Sequence, residues 1–172
     1  MARCFASIMS VPCLLWTAWS PAYAELTRDV PVSADVVAGC RIATTGSGAL
    51  GNADFGTHPG TATTTLDATV IGASGSGLRI ECTPGVTLSI AADAGAHAVS
   101  GQRYLAGPAS STPVAYDLYA NGGTTPWTSN ALSLGFTAAN TILTVPIVAR
   151  LTLPGNARAG AYTDTVHVTL TW

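Results

Sequence analysis

Side chains able to do chemistry are few in this chain, and they are scattered. His58, His97 and His167 stand far apart, so a metal site would need ligands gathered from distant segments. Asp54, Asp67, Asp93 and Asp117 could serve as general acid and base only if folding paired them. Turn capping and solvent exposure are the expected roles for such residues. The run Gly72 to Gly77 offers no G-x-S-x-G nucleophile elbow, because Gly72-Ala73-Ser74-Gly75 has the wrong spacing. It also lacks G-x-G-x-x-G and a following helical pattern, which argues against a phosphate cradle. Asp164 near Tyr162 suggests a buried tyrosine at a strand corner with a polar partner, a structural role. Trp127, Tyr104, Tyr116 and Tyr119 could form an adhesive surface, but core or rim packing is expected. No catalytic residue, metal ligand or cofactor is expected.

Two cysteines carry the one covalent expectation. Met1 to Ala24 reads as an export signal, with Arg3 at the start, an apolar stretch, and Ala22-Tyr23-Ala24 as a small-residue cleavage site. Its apolar run is shorter than the roughly 20 residues a spanning helix needs. Cys4 and Cys13 leave with it. Cys40 and Cys82 remain in a chain bound for an oxidising compartment, and a disulfide between them is the simplest reading. A redox pair would usually be spaced C-x-x-C.

Composition narrows the elements that could hold these residues. Charged residues are 9% of 172, with Lys and Arg together 7, every one of them Arg, against 9 acidic. A nucleic-acid binder needs clustered cations, which this chain lacks. Charge-driven disorder needs high net charge, and long helical bundles need charged exposed faces. A low-charge chain rich in Thr, Val, Ala and Gly reads as β-structure with many turns.

Period-two alternation recurs along the chain and helical periodicity does not. It runs through Val30–Val36, Val37–Ala43, Thr63–Ile71, Leu78–Cys82, Val86–Ile90 and Val114–Tyr119. It continues through Thr141–Leu153, bent at Pro146, and through Thr165–Trp172. Gly, Pro and Asn clusters separate the runs. About seven or eight short strands at this spacing predict one antiparallel sandwich with no second domain. An immunoglobulin-like sandwich normally closes with a strand covering the edge of its last sheet. Here the alternation ends at Trp172, while Leu26 to Val36 is a spare alternating stretch. An edge left open is an aggregation hazard unless another chain fills it.

A series of landmarks resembles the spore coat protein U domain family, pilin-like secreted proteins of the archaic chaperone–usher pathway. They are Gly39-Cys40-Arg41-Ile42, Asp54-Phe55-Gly56, Ile80-Glu81-Cys82-Thr83-Pro84-Gly85 and Leu88-Ser89-Ile90. Arg103-Tyr104-Leu105, Val114 to Tyr119, Trp127 and Pro146-Ile147 follow. The series closes on Gly160-Ala161-Tyr162-Thr163-Asp164-Thr165-Val166-His167-Val168-Thr169-Leu170. Pro146 departs from the family's Gly-x-Ile-Pro-like turn.

The resemblance implies an all-β, incomplete immunoglobulin-like sandwich lacking its last strand and completed by donor-strand complementation, a form of β-augmentation. It implies residues 1–24 as signal peptide, 25–37 as N-terminal donor segment and 38–172 as the pilin-like domain. Val30, Val32, Ala34 and Val36 would be donor residues. Val37, Ile42, Val166, Val168 and Leu170 would line the acceptor groove. The implied partners are a periplasmic chaperone, an outer-membrane usher and neighbouring subunits in a head-to-tail polymer, with no nucleic acid. The implied location is the periplasm and then the cell surface, in a pilus supporting adhesion and biofilm formation. The rival readings are a secreted carbohydrate-binding sandwich, a secreted β-sandwich enzyme and a spore or outer coat structural protein.

Overall fold

A computed structural model describes residues 26–128 and 130–172. The expected signal segment, residues 1–24, lies outside the described residues. The chain divides into two units between Asp35 and Val36. In the first, residues 26–35 are all exposed and form no strand. The second holds all the regular structure described, and all of it is β-strand.

The strands are β1 (Cys40–Ile42), β2 (Gly51–Asn52), β3 (Thr65–Thr69), β4 (Ile71–Gly72), β5 (Gly75–Ser76), β6 (Leu78–Cys82) and β7 (Thr87–Ala92). They continue with β8 (Arg103–Leu105), β9 (Val114–Ala120), β10 (Leu132–Gly135), β11 (Ile142–Val145), β12 (Ile147–Thr152) and β13 (Val168–Thr171). All pairings are antiparallel, in the orders β1-β6-β11, β10-β7-β13, β3-β12-β9-β8 and β2-β4-β5.

Alternation decides which face each strand buries. In β6, Leu78, Ile80 and Cys82 are buried while Arg79 and Glu81 are exposed. In β9, Val114, Tyr116 and Leu118 point inward, and in β12 Ile147, Ala149 and Leu151 do. With Leu88 and Ile90 of β7 these residues make one shared core. The described elements are all β-strands, as the composition predicted, and they fit the sandwich predicted from the spacing of the alternating runs.

Pro146 is the corner of the molecule. Before it, β11 pairs with β6; after it, β12 pairs with β3 and β9. Proline has no amide to donate to a ladder, so a continuous strand changes partners there at little cost. The Pro146 carbonyl still accepts the Asn121 amide at 2.8 Å. A tighter turn joins β6 to β7 through Thr83-Pro84-Gly85-Val86. The Val86 amide bonds the Thr83 carbonyl at 3.2 Å, and Gly85 takes φ 87°. Proline second and glycine third are what a type II turn asks for.

The disulfide joins Cys40 of β1 to Cys82 of β6, which face each other in the ladder with Cα atoms 4.1 Å apart. Next to it, the Thr83 amide bonds the Gly39 carbonyl at 2.9 Å and the Thr83 hydroxyl accepts the Gly39 amide at 3.2 Å. The chain is thus fastened to the centre of a sheet where the exposed N-terminal stretch gives way to the first strand.

Candidate functional site

The segment from Tyr162 to Leu170 forms one wall of an open groove. Tyr162, Asp164, Val166, Val168 and Leu170 are half-buried, and the residues between them are exposed. From Val168 onward this segment is β13, in regular pairing with β7. Upstream the pairing thins. Ala106 and Thr163 exchange backbone bonds at 3.0 and 2.9 Å, the Ala96 amide bonds the Thr165 carbonyl at 3.0 Å, and the Asp93 amide bonds the His167 carbonyl at 2.9 Å. All these engage Thr163, Thr165 and His167. In an extended strand the alternate residues present their amides and carbonyls to the opposite side. Those of Tyr162, Asp164 and Val166 have no backbone partner among the described residues.

The facing wall is Gly51 to Phe55. Ala53 and Phe55 are half-buried, and Asn52 and Asp54 are exposed. β2 is paired with β4 for only two residues. Beyond Asn52, the backbone of Ala53 and the amide of Phe55 also lack a hydrogen-bond partner among the described residues. The wall stops at a turn where the Gly56 amide bonds Asp54 Oδ1 at 2.8 Å.

Between the walls lie two adjoining clefts of about 560 and 640 Å³. Asn52, Ala53, Phe55, Leu105 and Asp164 border both, so the two run on as one trough. Its floor is the core itself: Leu78, Tyr116, Leu118, Ile147 and Ala149 in the first cleft, Leu66, Val114, Leu151 and Leu153 in the second. An apolar floor with unpaired backbone on both sides is the surface that an added strand would satisfy, its side chains on the floor and its backbone against either wall.

Polar side chains brace the first wall. Asp164, whose side chain is 1% exposed, accepts the His97 amide at 3.1 Å, bonds His97 Nδ1 at 2.9 Å and accepts the Tyr116 hydroxyl at 2.7 Å. Burial, reinforced by the Asp164 carboxylate, pushes the Tyr116 hydroxyl well above its ordinary range, so it stays a donor. Asp93 Oδ1 accepts the Gly95 and His167 amides, each at 2.9 Å, and its Oδ2 pairs with His167 Nδ1 at 3.0 Å. Arg103 is buried, and donates to the Asp93 carbonyl at 3.0 Å and the Trp127 carbonyl at 2.7 Å.

The residues singled out from sequence fall in different places. Val166 and Val168 line the first cleft; Leu170 lies beyond it, half-buried against the core. Ile42 packs against the core from β1, and Val37 is 79% exposed. Val37 and Ile42, expected in the second wall, do not border these clefts; the segment that faces Tyr162 to Val168 across them is Gly51 to Phe55. The alternation of Gly51, Ala53 and Phe55 was present in the sequence, but two of its three inward residues are too small to signal a strand.

Val30, Val32, Ala34 and Val36 are all exposed. The partner of Asp164 is Tyr116, not Tyr162, whose hydroxyl donates to the Arg158 carbonyl at 3.1 Å. Trp127 and Tyr116 are buried, and Tyr104 and Tyr119 half-buried. Asp54 and Asp93 cap turns, and Asp67 makes a two-pronged pair with Arg150 at 2.6 and 2.8 Å. Among the described residues no three His, Cys, Asp or Glu side chains gather as metal ligands.

Comparisons with known proteins bear on the family and the fold. The family model described as Spore Coat Protein U domain matches residues 26–169. Among curated proteins none matches the chain. A chain of the CsuC–CsuE chaperone–tip adhesion subunit pre-assembly complex, from the archaic chaperone–usher Csu pili of Acinetobacter baumannii, shares the fold at TM-score 0.52 and 20% identity. The match covers 80% of the present chain and 40% of that one.

Proposed function

This chain belongs to the Spore Coat Protein U domain family, and from that premise we propose that it is a structural subunit of a surface pilus that polymerises by donor-strand exchange. The observation that carries the reading is the trough with unpaired backbone on both walls, together with an exposed alternating segment in the same chain. Residues 25–37 are the donor segment and residues 38–172 the acceptor domain. Val30, Val32, Ala34 and Val36 enter the trough of a second copy. Their backbone pairs with Tyr162, Asp164 and Val166 on one wall and with Ala53 and Phe55 on the other.

The energetics favour a durable joint. Each buried valine contributes roughly 1.5–3 kcal/mol, and a strand paired on both sides adds its ladder of hydrogen bonds. Val30 to Val36 extends about 20 Å at strand rise. Insertion of one copy's tail into the next is a heterologous contact, which builds an open filament. Before assembly the same trough needs a temporary strand, supplied by a periplasmic chaperone; an outer-membrane usher then exchanges it. This places the subunit first in the periplasm and then at the cell surface. The chemistry is association, with no catalytic step.

Deletion of residues 25–36 tests this. The full chain should form polymers that resist SDS, while the deleted chain should cap a growing end without extending it. Polymerisation of the deleted chain at the full rate would refute the reading. So would a full chain that stays monomeric and stable, the behaviour of a carbohydrate-binding module.

A further inference from the structure

A carboxylate is an odd component for an apolar trough. Asp164 borders both clefts at their junction, and its side chain is almost wholly shielded from water. An apolar residue there would extend the floor at no desolvation cost, whereas an ionised group must be fully bonded to be tolerated. Asp164 is bonded at both oxygens, to His97 and Tyr116.

The local backbone explains what these bonds are for. The regular ladder between β7 and β13 ends at Ala92 and Val168. Beyond Ala92 the partner chain turns away, so the stretch Thr163 to His167 has no continuous strand beside it. Side chains fill that gap. Asp164 reaches across to His97, and Asp93 reaches back to the amide and ring of His167. The buried Arg103 anchors the Asp93 carbonyl in turn. These bonds all lie on the side away from the free amides of Tyr162, Asp164 and Val166.

We propose that Asp164 and Asp93 are positioning residues for strand uptake: with His97 and His167 they hold the free wall of the trough extended before a partner strand arrives. The proposal rests on the donor-strand reading above. A segment paired on one side only would otherwise fray, and its ordering entropy would be lost at the moment of binding. Fixing it in advance removes that cost from association. Once a partner strand is in place, its own ladder holds the wall, and the clips matter less.

The test follows growth of SDS-resistant polymer by the full chain, alongside the thermal midpoints of unassembled and assembled protein. Asp164→Ala should slow growth by about tenfold or more, the loss expected when bonds to a charged group go. Asp164→Asn should recover most of the rate, because its amide offers an oxygen to His97 and an N–H to the Tyr116 hydroxyl. His97→Ala, a substitution at a half-exposed side chain, should slow growth to a smaller degree. In each slowed variant the midpoint of the unassembled protein should fall more than that of the polymer. Growth of folded Asp164→Ala at the wild-type rate overturns the proposal. If Asp164→Ala does not fold, growth of His97→Ala at the wild-type rate overturns it. Equal slowing by the Ala and Asn variants, or equal loss of midpoint in polymer and unassembled protein, also counts against it. Wild-type chain that never takes up a strand removes the donor-strand reading and this proposal together.

Discussion

Asp93 shows at single-residue scale how the fold depends on ionisation. Burial pushes its carboxyl up, but bonds from the Gly95 and His167 amides and the His167 ring outweigh burial and hold it below the ordinary 3.8. A carboxyl with a depressed folded-state pKa binds fewer protons folded than unfolded. Its contribution is complete above the unfolded value and is lost as pH falls through the folded one. Asp93→Asn should therefore be less stable than wild type at pH 7, and the difference should shrink as pH falls below the carboxyl's ordinary 3.8. Urea denaturation of the assembled protein across that range measures it. The disulfide is the second single-site lever. Closing a loop of 42 residues stabilises by roughly 4 kcal/mol in the chain-entropy account. Replacing both Cys40 and Cys82 with Ala should lower the denaturation free energy by up to about that amount. A free-thiol titration of the wild-type protein should find none at these positions.

At the scale of elements, strands with large β-branched and aliphatic alternation were readable from the sequence: β6, β7, β9 and the bent pair β11–β12 each carry a clear inward set. Strands built from small or mixed residues were not. β2 is Gly51-Asn52, β8 begins with a buried arginine, and β10 is Leu132-Ser133-Leu134-Gly135. Two of these decide the site, since β2 starts the second wall, and β8 sets Leu105 against both clefts and Arg103 behind the first wall. The sequence pointed to Val37 through Ile42 for the second wall, whereas Gly51 to Phe55 borders the clefts; Val166 and Val168, which also border the first, lie in an alternation that carries on into β13. The inner strands should respond to truncation as a packed core does. Ile80 is fully buried, and Ile80→Ala should cost about 2–5 kcal/mol by denaturant melt. Val32→Asp acts elsewhere. It places a charge where the proposed partner's trough is apolar, so it should abolish extension while leaving the variant's own trough able to accept a wild-type tail. Mixed assembly with a tagged wild-type chain reads this out.

At the scale of the whole molecule, the low charge has a physical place. Only 9% of the residues are charged, and in the proposed filament a packed subunit would have less need of a charged surface than a free monomer. Nothing in the structure explains why every basic residue is Arg. Family membership and fold rest on the match over residues 26–169 and on the all-strand architecture. On the proposed function, the trough takes up a strand from another copy. Hydrogen exchange at the amides of Tyr162, Asp164 and Val166, compared between unassembled and polymerised protein, tests that most directly. Their exchange should be fast before assembly and slower by orders of magnitude after it, while the already bonded Thr163 amide changes far less. Equal exchange at Tyr162, Asp164 and Val166 in the two states would contradict it.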